Sequence, residues 1–331
     1  MPETDIFCNL SPKVRKMTIY KLSNKNWGVA MEWALGISHL GNIHQIASPW
    51  EGVKIVNAPE IKTIMEGLFG TIRFKRLYFG QEFCDRAIPP PGELLEAVQQ
   101  AGDHKMDFTL VTPYATERGI RKLQDLFEEF VKLKPAGEVV VNDWGVLYLL
   151  AAKFPTLIPV AGRLMNKIYR DPRMDRRLEK GSGKQTHLFC RSGLAGPYMQ
   201  KLLKEMRVNR IELDNTFQGL DSNLPRWGYR VSMYVPYGCI TSGRSCLFGS
   251  WGLERKEKFN ATRKTCSHQC RSHWLAMQDR SDQVEAKSKD WRILQKGNTI
   301  FYQQLKDFLA RGLTQAKELG VDRIVYQPEP I

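Results

Sequence analysis

Four of the seven cysteines in this 331-residue chain fall within one short segment, at Cys239, Cys246, Cys266 and Cys270. Their spacing is C-x6-C-x19-C-x3-C. Soft thiolates gathered this way suit zinc or an iron–sulfur cluster. A structural zinc ribbon draws its ligands from tight C-x2-C knuckles, and no C-x2-C occurs here. The loose gaps instead allow separate loops to converge on a larger object, so an iron–sulfur site is the expectation. A radical-SAM motif, C-x3-C-x2-C, is absent because His273 stands where its third cysteine belongs. The isolated Cys8, Cys84 and Cys190 read as small buried hydrophobes. His268 and His273 flank the thiols and could donate hydrogen bonds to them, although a surface position suits either as well.

Other recognisable chemistry is missing. Gly181-Ser182-Gly183-Lys184 has Leu178 where a phosphate loop needs its first glycine and Gln185 where it needs Ser or Thr. There is no H-E-x-x-H, no G-x-S-x-G and no dinucleotide-binding G-x-G-x-x-G after a strand. The formal net charge of +14 invites an RNA hypothesis, with basic runs at 170–184 and 255–264. Solvated surface loops account for such runs too, and cations beside four thiolates would offset cluster charge.

The elements that must position these residues alternate short β-type runs with helical stretches. Strands are predicted at 53–56, 73–79, 107–111, 138–141, 157–160, 210–213, 230–235 and 321–326. Helices are predicted at 59–68, 93–100, 116–133, 145–154, 195–206 and 302–319, the last capped by Gly320. About eight strands with intervening helices predict an α/β fold, a single-domain TIM-like barrel over 51–331 carrying the cysteine segment 239–270. Residues 1–50 read as a lead-in covering one end. In such barrels chemistry sits at the C-terminal strand ends, and Cys239 begins just past the strand at 230–235. Asn142, Asp143, Glu212, Asp214, Gln327 and Glu329 also stand at strand exits, where helix capping competes with function. No uncharged apolar run approaches the ~18 residues of a membrane span. The polar start excludes a signal peptide, so a cytoplasmic protein with reduced thiols is expected.

The run VPYGCITSGRSC at 235–246, followed by TCSHQCR at 265–271, resembles the collagenase-like peptidases of unassigned catalytic type, number thirty-two in that series. Tyr78-Phe79-Gly80, GRLMN at 162–166, RDPR at 170–173 and VNRIELD at 208–214 are similar as well, and the likeness spans about 137–331. Two departures stand out: Arg207 replaces the usual glycine before Val208, and the x19 gap exceeds the usual spacing. The resemblance implies a barrel holding a 4Fe-4S cluster on Cys239, Cys246, Cys266 and Cys270. It also implies oxygen-independent hydroxylation of a quinone precursor or of an RNA base, with prephenate as oxygen donor. In the quinone-pathway type a paralogous subunit is the partner. The chain ends five residues after the last predicted strand, which favours the small aromatic or quinone-precursor substrate over RNA. From position, Arg244 and Arg271 would neutralise cluster or carboxylate charge. Glu212 and Asp214 would be acid–base groups. A metal-dependent peptidase is the third reading, and the missing hydrolytic motifs weigh against it.

Overall fold

The structure is a computed structural model and describes residues 31–51, 57–172, 188–258, 266–277 and 291–330. Seven strands form in order as β1 (Glu32–Ile37), β2 (Phe74–Gly80), β3 (Asp107–Val111), β4 (Glu138–Val141), β5 (Ile158–Ala161), β6 (Arg210–Asp214) and β7 (Arg230–Val235). Four more follow as β8 (Tyr237–Ser242), β9 (Leu275–Met277), β10 (Trp291–Lys296) and β11 (Thr299–Gln304), and β12 (Arg323–Tyr326) is the last. Strands β1–β7 and β12 close into a parallel barrel in the order β1-β12-β7-β6-β5-β4-β3-β2. The TIM-like α/β architecture expected from the alternating pattern is therefore present.

The β-strand period of two explains how the barrel is filled. Ala34, Tyr78, Val111, Val140, Val160, Tyr234 and Val325, one from each of seven barrel strands, form a compact inner cluster. The eighth strand contributes Glu212, whose carboxylate accepts a 2.7 Å hydrogen bond from Tyr234 Oη. Neighbouring residues on the same strands, such as Leu77, Val139, Ile211 and Ile324, point outward into the larger core beneath the helices. Those helices are α1 (Ala58–Phe69), α2 (Pro91–Asp103), α3 (Glu117–Leu133), α4 (Trp144–Lys153), α5 (Pro197–Glu205) and α6 (Lys306–Glu318). Helix α3 shows why they dock. Leu123, Leu126, Phe127 and Phe130 recur at helical spacing and are buried, each stabilising the fold by roughly 1.5–3 kcal/mol. Thr116 caps its start by accepting from Gly119 N.

Two boundaries differ from the sequence expectation. The first barrel strand is Glu32–Ile37, inside the segment read as a lead-in, while the predicted strand at 53–56 lies outside the described residues. The predicted helix 302–319 begins only at Lys306, because Tyr302–Gln304 belong to β11 and pair with β8 and β10. Strands β8, β11, β10 and β9 form a small antiparallel sheet inserted between β7 and α6. This insertion carries the cysteine-rich segment over the barrel mouth. No helix among the described residues is long and apolar enough to cross a membrane.

Candidate functional site

Four thiols line one cavity of about 650 Å³ at the C-terminal mouth of the barrel: Cys84, Cys246, Cys266 and Cys270. Cys84 follows β2 and precedes the short 3-10 turn Asp85–Ala87. Cys246 precedes a second such turn, Phe248–Ser250. Cys270 lies within a third, Gln269–Arg271, which starts from His268 in the left-handed region at φ 52°. Two glycines lie beside the sulfurs at ordinary contact distance. A Cβ on Gly249 would lie 3.5 Å from Cys246 Sγ and 3.8 Å from Cys266 Sγ, and one on Gly297 would lie 3.8 Å from Cys270 Sγ.

The backbone prepares these sulfurs to carry charge. Gly249 N donates to Cys246 Sγ at 3.2 Å, and the amides of Arg86 and Ala87 donate to the Cys84 thiol. Burial nevertheless pushes the Cys84 thiol up to about 11, and Cys246 and Cys270 add to the rise. Burial likewise raises Cys270, with Cys246 and Cys266 contributing. As free thiols, Cys84, Cys246 and Cys270 are therefore held toward the neutral form. A cationic metal would reverse that balance.

Thiols are the donor type that an iron–sulfur cluster takes. Among the described residues, no group of three or more His, Cys, Asp or Glu side chains is placed to hold a metal ion. Cys84, Cys246, Cys266 and Cys270 would be the residues to hold a cluster.

The cavity wall is otherwise basic. Arg86, Arg118, Lys122, Arg244, Lys258, Arg271 and Lys296 line it, against a single aspartate, Asp85. Asp85 is itself engaged by Thr116 through Oγ1 at 2.6 Å and the backbone amide at 3.2 Å. Arg244 and Arg271, both predicted from position, are therefore at the site, as is His268. His273 is exposed and does not line the cavity. His39 joins from the loop after β1, with its buried Nε2 lacking a hydrogen-bond partner and 3.8 Å from Glu329 Oε1. Burial lowers its pKa to about 4, against the pull of Glu329 and with help from Arg271 and Lys296. Lys296 Nζ sits 2.8 Å from Glu329 Oε2.

Cys239, Glu212 and Asp214 are not brought to this cavity. Cys239 points into the core at 2% exposure, and its backbone amide donates to Asp214 Oδ1 at 3.4 Å. The alternation of β8 is the reason: Cys239 falls on the inward face opposite Phe301 of β11. Burial, reinforced by Asp214, pushes its thiol up to about 12. Cys239 is therefore absent from the cavity wall, where Cys84 stands with the other three thiols. Asp214 is consumed by two arginines, Arg163 Nη1 at 2.9 Å and Arg170 Nε at 2.7 Å. Arg163 also grips Glu82 through both carboxylate oxygens at 2.7 Å, so this buried group is a structural plug below the cavity. Glu212 lies inside the barrel, and burial pushes its pKa up to about 8. Asp143 is an N-cap, accepting from Gly145 N at 2.7 Å. Asn142 bridges Thr112 O and Leu164 N. Most of the two basic runs, at 173–187 and 259–265, lies outside the described residues, and so does Cys8. Cys190 is buried, but it is disulfide-bonded and not the free thiol expected.

No family model matches the chain, and no curated protein matches it. Among solved structures it is similar to the U32 peptidase Mk0906, at 11% identity and a TM-score of 0.41 over 94% of this chain and 97% of that one. It is also similar to the Bacillus megaterium QM B1551 spore cortex-lytic enzyme SleL, at 8% identity and a TM-score of 0.36 over 89% and 70% of the two chains. A third is a glycoside hydrolase family 18 N-acetylglucosaminidase from Paenibacillus barengoltzii, at 9% identity and a TM-score of 0.33 over 89% and 94%. None of these likenesses decides the chemistry.

Proposed function

We propose that this chain is an iron–sulfur protein that holds a 4Fe-4S cluster on Cys84, Cys246, Cys266 and Cys270 and uses it in redox chemistry at the barrel mouth. The observation that carries this reading is the meeting of four thiols, from separate loops, on the wall of one basic cavity. The cluster would supply electron transfer or a Lewis-acidic iron when bound. The chain's own groups have narrower tasks. Arg244 and Arg271 hold negative charge beside the thiolates, whether from the cluster or from a carboxylate ligand. The amides at Gly249, Arg86 and Ala87 favour the thiolate forms. His39 offers an uncharged ring nitrogen at the cavity edge.

Oxygen-independent hydroxylation of a small aromatic or quinone precursor, with prephenate as oxygen donor and a paralogous subunit as partner, is the finer proposal. It comes from the motif resemblance, and the cationic wall suits an anionic co-substrate of that kind. The test of the cofactor is iron, sulfide and zinc content with a visible spectrum, on protein purified without oxygen. About four irons and four sulfides per chain, with broad visible absorbance, are expected. Stoichiometric zinc without sulfide would instead make the site structural.

RNA binding or base hydroxylation is the second reading, favoured by the net charge of +14 and the seven cations at the mouth. Filter binding with total tRNA across a salt series separates the two. Steep loss of binding with salt supports RNA, and no binding near physiological salt ends that reading.

A further inference from the structure

The loops that carry the thiols have little regular structure of their own, which raises the question of what holds them in register. One side chain reaches two of them and a third loop beside them. Asn298 lies in the β10–β11 turn, and its Nδ2 donates to Phe83 O at 2.7 Å, to Gly243 O at 2.6 Å and to Tyr114 Oη at 3.0 Å. Phe83 immediately precedes Cys84, and Gly243 precedes Cys246 by three positions. Gly297, next to Asn298, lies beside Cys270, where an added Cβ would stand 3.8 Å from its Sγ. Tyr114, from the loop between β3 and α3, completes the knot by donating to Gly243 O at 2.6 Å. Ser242 Oγ lies 3.2 Å from Tyr114 Oη and 2.9 Å from Thr299 Oγ1.

We infer that Asn298, supported by Tyr114, is the positioning residue that clamps the Cys84 loop to the cysteine-rich insertion and so assembles the four-thiol site. This rests on the iron–sulfur reading for its purpose but not for its geometry. The clamp is specific to one boundary. Cys246, Cys266 and Cys270 all belong to the insertion, whereas Cys84 belongs to the barrel, and Asn298 ties the two across the cavity. An amide is suited to the task because it offers two donors to several oxygens at once. Of the three bonds, the one to Phe83 O holds the Cys84 loop directly and that to Tyr114 only indirectly, so removing the amide should increase opening of the Cys84 loop about tenfold, the scale of one to two hydrogen bonds.

The experiment uses the unloaded full-length chain and follows N-ethylmaleimide labelling of each cysteine by peptide mass spectrometry. Cys239, buried in the core, serves as an internal control for folding. In Asn298→Ala, Cys84 should label about tenfold faster while Cys239 stays protected. Asn298→Asp keeps the size but turns donors into acceptors facing three oxygens, and should match or exceed that effect. Tyr114→Phe leaves the bonds to Phe83 O and Gly243 O and should accelerate Cys84 about twofold to fivefold. Unchanged Cys84 labelling in Asn298→Ala would overturn the inference. So would a parallel rise at Cys239, because Asn298 would then hold the whole fold and not the site. On reconstituted protein, Asn298→Ala should retain less iron per chain than wild type after the same incubation with a chelator. A wild-type chain that takes up no iron ends the iron–sulfur reading and leaves the labelling comparison to decide the clamp.

Discussion

The two ends of the barrel use the same charged residue types for opposite purposes. At the N-terminal end, Arg323 donates to Glu32 and Glu138 at 2.6 Å each. Arg76 donates to Glu32 at 2.7 Å and Asp107 at 3.0 Å, and Arg210 meets Asp322 at 2.7 Å. Cations and carboxylates are there matched. Burial opposes ionisation of Glu138, yet Arg323 and Arg76 hold its carboxyl down at about 2. At the mouth, seven cations face one aspartate and four thiols. A matched network stabilises the fold, whereas the cation-rich lining of the mouth suits negative charge from outside the protein chain. In α/β barrels this division follows the general separation of stability and activity between the two faces.

The largest effect should come from breaking the matched end. Arg323→Met takes from Glu32 and Glu138 one of the two arginines they share, leaving only Arg76, and a loss of roughly 3 kcal/mol is expected by urea denaturation. Arg271→Ala at the mouth should change stability by no more than about 0.5 kcal/mol. Similar losses for the two variants would remove the contrast.

A second effect separates the barrel interior from both ends through pH. The Glu212 carboxyl ionises near 4.5 when unfolded and is pushed by burial to about 8 in the barrel. Between those values the folded state holds the extra proton, so stability falls as pH rises from about 4.5 through about 8. Glu212→Gln should flatten this decline and stabilise the protein at pH 9 relative to wild type by a few kcal/mol. Glu138 has the opposite sign. Its contribution is present above about 4.5 and is lost as pH falls toward about 2. Identical denaturation profiles for wild type and Glu212→Gln between pH 5 and 9 would contradict this assignment.

The smallest expected effect lies at the rim of the cavity. Arg244→Ala should keep full iron and sulfide content but weaken binding of a dicarboxylate about fivefold, the scale of one exposed ion pair. Unchanged affinity would remove Arg244 from ligand recognition.

Much of the barrel was legible because strands buried on both faces are written in β-branched and aromatic residues, as in β3, β4 and β7. Strand β1 was not. Its inward positions are Ala34 and Gly36, small residues that the crowded interior requires, and they carry no strand signal. The start of α6 was misread because the helical period at Leu305, Phe308, Leu309 and Leu313 extends back onto Tyr302, whose neighbours pair in a sheet. In the site, the C-x3-C pair and Cys246 were legible from local spacing. Cys84 was not, because only the closure of the barrel brings the β2 exit to the insertion after β7. The one available signal was its place just past a predicted strand end, where barrel chemistry gathers. Cys239 shows the converse, a motif residue placed away from the cavity. It sits in the motif, but the two-residue period of β8 turns it inward.

The central claim is that Cys84, and not Cys239, completes the thiol set. The direct measurement is iron and sulfide content, with the visible spectrum, of anaerobically purified wild type, Cys84→Ala and Cys239→Ala. The account predicts that Cys84→Ala loses the four-iron cluster or retains only a three-iron one, while Cys239→Ala keeps the wild-type content and spectrum. Loss of the cluster in Cys239→Ala with full retention in Cys84→Ala would contradict it.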